Sequence, residues 1–283
     1  MNGNTQKKSL RADPFSLVMR VLVWGAALLT AGVLLALIAY ILIRGVPNLK
    51  LSLFELEYNS ENVSMFPSIV MTIYMTVLTL IITTPLGIGC AIYLTEYAKR
   101  GNKVVEVIRL AAETLSGIPS IVYGLFGMLF FVTALQWKNS ILAGSCTLAI
   151  MVLPLIIRST EEALKSVPDS YREASFGLGA GKLRTVVRVV LPSAMPGIVA
   201  GVILAVGRIV GETAALIYTA GTVAKITANP MESARTLAVH MYALSSEGLH
   251  TSEAFATGVV LLLVVLMLNA TSNAIAKRIT KGK

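Results

Sequence analysis

The chain has 283 residues, of which 55% are hydrophobic and only 14% charged, and its mean hydropathy is +0.75. An ordinary soluble domain carries roughly a quarter charged residues, so this balance excludes one and points to an integral membrane protein. The formal net charge of +9 does not mark a nucleic-acid binder, because the basic residues sit at the ends of apolar runs and form no dense stripe with interleaved aromatics.

Apolar runs of about 20 residues, the length that crosses roughly 30 Å of hydrocarbon, predict an all-α protein with six transmembrane helices. Their expected bounds are 18–43, 66–94, 111–135, 140–158, 196–221 and 254–276. The first follows Lys7, Lys8 and Arg11, and its apolar run exceeds the 7–15 residues of a signal-peptide core, so it reads as a retained anchor. The chain then divides into a tail (1–17), that anchor (18–43), a core (66–276) that holds a polar loop (160–192), and a second tail (277–283). Of the 24 Lys and Arg, only Arg44, Lys50, Lys138, Lys225 and Arg235 fall on one side of these spans, and Arg208 falls within one. The positive-inside rule therefore puts both termini and the 160–192 loop in the cytoplasm, and leaves 44–65 and 222–253 as the large exterior segments. Cys90 and Cys146 lack ligand spacing and read as small core residues. His240 and His250, without metal-ligand companions, read as solvated loop histidines.

Within the second and third spans, Pro85 and Pro119 with nearby glycines read as kink and packing sites. Glu113, near the cytoplasmic end of the third span, reads as an interfacial carboxylate that could also face an inner vestibule. In the polar loop, Pro168 and Asp169 suit a helix start, with Ser170 and Glu173 at capping-box spacing. Gly177, Gly179 and Gly181 let the chain turn, and a second amphipathic run follows from Lys182 to Val190. Pro192 and Pro196 punctuate the approach to the next span. Patterning alone leaves two uses open: a docking surface for a partner, or a hairpin lying on the lipid surface.

The fifth span holds the strongest chemical signal, Gly207-Arg208-Ile209-Val210-Gly211-Glu212-Thr213. A central arginine costs about 2.5–3.5 kcal/mol to insert even on the lenient translocon scale, which makes it a functional candidate. Spacing of four residues would put Arg208 and Glu212 on one helical face, and the bland alternative is an ion pair that neutralises itself. A guanidinium suits oxyanions, and a carboxylate accepts hydrogen bonds only from a substrate that still carries protons, so the pair would favour phosphate over sulfate.

The run Arg172-Glu173-Ala174-Ser175-Phe176-Gly177-Leu178-Gly179, followed by Val189-Val190-Leu191-Pro192, resembles the "EAA" loop of ABC-importer permeases, with Ser175 for the second alanine and Val189 for isoleucine. The ending Tyr93-Leu94-Thr95-Glu96-Tyr97-Ala98 resembles phosphate-importer permeases, as do Leu115-Ser116-Gly117-Ile118-Pro119-Ser120 and Leu153-Pro154 through Arg158-Ser159-Thr160-Glu161-Glu162. Together with Gly211-Glu212-Thr213-Ala214, the threonine–glutamate–glutamate form is similar to the PstA-type phosphate permease subunits, although Ala215 replaces a proline common there.

That resemblance implies a type I ABC-importer permease in the bacterial plasma membrane, in contact with lipid and moving inorganic phosphate by alternating access. It implies a PstC-type permease partner, a dimeric PstB-type ATPase and an extracytoplasmic PstS-type phosphate-binding protein. It also assigns ATPase coupling to Arg172, Glu173, Ala174, Gly179, Leu191 and Pro192, while the charges within the fifth span put the expected substrate pathway at Arg208, Glu212 and Thr213. No Walker loop, HExxH, nucleophile elbow or paired-cysteine motif occurs, so the expectation is a non-catalytic subunit with no cofactor or metal. Two alternatives stay open: a permease of the same architecture for molybdate or sulfate, and an ATP-independent channel or carrier.

Overall fold

The computed structural model describes residues 14–99 and 101–281, with side chains over 15–99 and 101–274. Residues 1–13 with Lys7, Lys8 and Arg11, and also Arg100 and 282–283, lie outside the described residues, as do the side chains of the tail beyond 276. All regular structure among the described residues is helical. The helices are α1 (Pro14–Gly45), α2 (Phe66–Tyr97), α3 (Lys103–Ser116), α4 (Ser120–Ala134), α5 (Ile141–Lys165), α6 (Asp169–Gly177), α7 (Lys182–Val210), α8 (Ala214–Thr219), α9 (Leu237–Glu247) and α10 (Thr251–Lys281).

Among the described residues, α1, α2, α5, α7 and α10 are long and apolar enough to cross a membrane. The pair α3 and α4 makes a sixth crossing when counted together, and it is bent by 105°. Here the expected span 111–135, with a kink at Pro119, is corrected to two helices with a full break between them. Gly117 closes α3, and Pro119, with no N–H and an extended backbone (ψ 142°), restarts the chain in a new direction as α4. The Tyr123 hydroxyl donates across the break to the Leu115 carbonyl at 2.6 Å, which satisfies an acceptor the ended helix leaves free.

Helix α5 is the centre of the core. Its Leu148, Met151 and Ile156 pack with Met71 and Met75 of α2, Ile209 of α7 and Leu216 of α8. A helix apolar on nearly every side belongs in the interior, and α5 is the most buried of the spans. Close approach to α7 depends on Gly201, where an added Cβ would collide with Ser159 of α5. By contrast, α1 buries none of its apolar stretch, as suits a helix surrounded by lipid, and it meets α10 through an edge-to-face contact of Tyr40 with Phe255 at 5.6 Å.

Segments 44–65 and 222–253 fold together over one end of the bundle. Leu53 and Met65 pack with Leu237, Ala256 and Val260, and Thr72 accepts the Leu237 N–H at 2.8 Å. His240 is fully buried, which corrects the solvated-loop reading. Its helix presents Leu237, Ala238 and Val239 to the same interior, so the imidazole goes in with them. Arg235 is also buried and lies over the Tyr58 ring at 4.5 Å, and Tyr58 meets the His240 ring edge-on at 6.2 Å.

Burial and the nearby Arg235 charge push the His240 pKa down from 6.5 to about 3. Because the folded value lies below the unfolded one, the stability this residue contributes is complete above about pH 6.5 and is lost as pH falls toward 3. The protection of 236–247 against hydrogen exchange, corrected for the intrinsic exchange rate at each pH, is therefore expected to fall between pH 6 and pH 4 in the wild type and to stay level in His240→Phe. Identical pH profiles for the two proteins would refute the assignment.

Candidate functional site

The polar loop forms two helices joined at a tight turn. Helix α6 begins after Pro168, which precedes its first turn, so Ser170 and Glu173 make no capping box. The turn closes through N–H groups of Leu178, Gly179 and Ala180 onto the carbonyls of Ala174, Phe176 and Ser175 at 2.9–3.1 Å. Gly179 sits at φ +82°, in the left-handed region that favours glycine. Ser175, at the position of the second alanine in the EAA pattern, is buried and shares a 2.8 Å hydrogen bond with Thr185, fastening α6 to the start of α7. Sequence comparison gave no hint of that bond.

Glu173, Ala174 and Gly179 lie at the surface of this hairpin, beside Phe176, Leu178, Leu183 and Val187, all exposed. Leu178 is 89% exposed, an unusual position for a leucine with no partner. Leu191 and Pro192 are half-buried instead, with Leu191 packed beside Val190 and Ala194. Pro192 does not punctuate the helix as expected. A π-helical turn over Val186–Val190 takes up the register change in front of the proline, and α7 runs through.

Arg172 points into the fold. Its guanidinium donates to Glu96 at 2.7 and 3.1 Å, to Asp169 at 3.1 Å, and to the carbonyls of Val167 at 2.8 Å and Leu164 at 3.0 Å. Both carbonyls lie where α5 ends, and that of Leu164 also accepts the Val167 N–H at 3.3 Å, so one side chain clasps the end of α2, the end of α5 and the start of α6. The side chains of Arg172 and Glu96 are only 15% and 8% exposed. Removing one member of such a pair strands the other, at about 3–5 kcal/mol. Arg172→Ala is expected to loosen 160–192 by roughly that amount, read as faster hydrogen exchange there with α10 unaffected. Unchanged exchange would show that the clasp does not hold the loop.

A cavity of about 390 Å³ lies between α3, α5 and the far end of α7, lined by Arg109, Glu113, Arg158, Glu161, Glu162, Lys165 and Arg208, among others. Most of its charges are already paired. Glu161 binds Arg109 at 2.6 Å and Lys165 at 2.7 Å, and Arg158 binds Glu162 at 3.1 Å. Among the described residues, Arg208 makes no ion pair or hydrogen bond through its guanidinium, although it is only half-exposed. Arg208 lies in the last turn of α7, which stops at Val210.

The expected shared helical face with Glu212 therefore does not form. Gly211 caps α7, and Glu212 falls in the break, where its buried carboxylate accepts the Ala215 N–H at 3.0 Å at the start of α8. A proline at 215 would have no N–H to give; alanine supplies one and Glu212 takes it. Thr213 completes the break, half-exposed. The turn survives the missing proline, held from the other side by Gly124 of α4, where an added Cβ would come within 2.8 Å of the Ala215 Cα.

Residues 83–282 match the family model of the binding-protein-dependent transport system inner membrane component. The chain belongs to that family. The permease is 36% identical to the probable ABC transporter permease protein YqgI of Bacillus subtilis, over 90% of this chain and 92% of that protein. It is 35% identical to the phosphate transport system permease protein PstA 2 of Mycobacterium bovis, over 72% of this chain and 68% of that protein. Its fold matches a bacterial ABC transporter involved in alginate import, with a TM-score of 0.62 at 15% identity, over 94% of this chain and 99% of that one. The permease is thus a multi-pass inner-membrane subunit of an ABC importer, non-catalytic itself, and it works with an ATPase and a binding protein. The ATP-independent channel or carrier is set aside by that membership.

Proposed function

We propose that this permease carries inorganic phosphate inward as one half of a heteromeric pair, with a PstC-type subunit as the other half. A PstB-type ATPase dimer would dock on the α6–α7 hairpin, and a PstS-type phosphate-binding protein would dock on 44–65 and 222–253. Both termini then lie in the cytoplasm of a bacterial cell. The observation that carries the substrate class is Arg208, a guanidinium without a partner among the described residues, lining a cavity in which the other cations are paired. A free planar fork of donors suits an oxyanion. The phosphate assignment draws on the similarity to a phosphate permease over most of the chain.

In this reading Glu212 and Thr213 shape the end of α7 and so position Arg208, while Glu173, Ala174 and Gly179 form the surface the ATPase meets. Arg172, Leu191 and Pro192 hold that surface to the bundle. The apolar and charged mixture of the hairpin fits insertion of a short helix into a groove.

The test is uptake of radiolabelled phosphate by proteoliposomes that contain the four subunit types, with binding protein outside and ATP inside. ATP-dependent accumulation of phosphate is the expected result. Accumulation of molybdate or sulfate in its place would refute the substrate while leaving the architecture intact.

A further inference from the structure

We infer that Glu113, and not Glu212, is the carboxylate that selects a protonated oxyanion beside Arg208. This rests on the reading of the chain as a phosphate permease and names the specificity residue of that same site. Four carboxylates come into question, and the geometry separates them. Glu212 does not line the cavity, and its oxygen is engaged by the Ala215 N–H. Glu161 is held by Arg109 and Lys165, and Glu162 by Arg158. Glu113 lines the same cavity as Arg208, and among the described residues its side chain makes no ion pair or hydrogen bond.

The cavity thus offers two unengaged charged groups of opposite kind, one with only donors and one with only acceptors. Helix α3 places the carboxylate there. Val105, Ile108 and Leu115 face inward to the core, while Arg109, Glu113 and Ser116 lie along one polar edge of the helix. The 105° bend that follows at Pro119 keeps this edge beside α5, at the cavity wall, instead of carrying it along a straight span.

A phosphate that retains at least one proton meets both groups. Its bare oxygens accept from the Arg208 guanidinium, and its P–O–H donates to Glu113. Sulfate at neutral pH has no proton to donate, so its oxygens face the Glu113 oxygens as like charge against like. Because Arg208 attracts either anion, discrimination falls to Glu113. The arrangement rejects the wrong ion by leaving its charge opposed, which is a stronger device than a difference in size.

The experiment measures binding of radiolabelled inorganic phosphate, and its competition by sulfate, on the permease pair assembled with the ATPase in nanodiscs, without binding protein. Omitting the binding protein removes its own selectivity from the readout. Wild type is expected to prefer phosphate. Glu113→Gln, close to isosteric but uncharged, is expected to relax the phosphate-to-sulfate preference by about tenfold, the usual worth of a hydrogen bond to a charged group. Glu113→Asp should retain most of the preference, and Glu113→Ser should lose it as Gln does, so the result does not depend on one variant assembling. A wild-type ratio in Gln and Ser would overturn the inference while leaving the phosphate reading in place. Absence of any phosphate preference in the wild type would also overturn the inference, whereas the phosphate reading itself stands or falls by the uptake experiment with the binding protein present.

Discussion

Replacing Arg208 with alanine is expected to cut ATP-dependent phosphate uptake by about a hundredfold, while the permease still co-purifies with its ATPase. The magnitude follows from losing a bidentate, charge-assisted contact, each bond of which is worth roughly 1.5–3 kcal/mol. Assembly should survive because Arg208 has no partner inside the described protein for its loss to strand. Arg208→Lys keeps the charge but gives up the planar fork, and is expected to fall between the two. The check is initial uptake rate against substrate concentration in proteoliposomes. Wild-type uptake by Arg208→Ala would remove Arg208 from the pathway.

The second large effect is expected at the turn between α6 and α7. Gly179→Pro combines two faults: proline cannot reach φ +82°, and it lacks the N–H that Gly179 donates to the Phe176 carbonyl at 2.9 Å. The angle between α6 and α7 should change, and with it the apolar surface formed by Phe176, Leu178 and Leu183. Membrane insertion should be intact, since the bundle core under α5 is far from the turn in its contacts. Co-purification of ATPase is expected to be lost, along with transport. Retention of both at wild-type levels would mean that the hairpin is not the docking surface.

The helical class and the membrane setting were legible in composition and in the spacing of apolar runs, because lipid imposes a length and forbids unsatisfied backbone. What escaped was continuity. Pro119 reads as a kink in a span, but it marks a true break, and Pro192 reads as a boundary, but it lies inside α7. A proline in a membrane helix can do either, and the choice rests on whether a neighbour or a π-turn can take up the freed groups, as Tyr123 and Val186–Val190 do here.

The same limit governed the site. Arg208 stood out by itself as a charge in an apolar run, yet its pairing with Glu212 assumed a helix that ends at Val210. Glu113 was visible but ordinary until the fold brought α3 alongside α5 and showed which carboxylates were already engaged. For His240, the apolar neighbours Leu237, Ala238 and Val239 were a usable sign of burial, hidden by the expectation that exterior segments are wet.

Helix α7 carries Lys182 at one end and Arg208 near the other without a loop between them. At about 1.5 Å per residue that is a rod of about 40 Å, and with its pivot at Gly201 a tilt of about 10° moves the Lys182 end by roughly 5 Å and Arg208 by roughly 2 Å. If the ATPase docks on the hairpin as proposed, force applied there would reach the cavity as rotation of a single lever, with Gly201 against Ser159 as its narrowest clearance. In the proposed mode of action the fulcrum would lie where α7 crosses α5, and small residues at that crossing would set how far the anion end moves for a given nucleotide-driven motion at the hairpin.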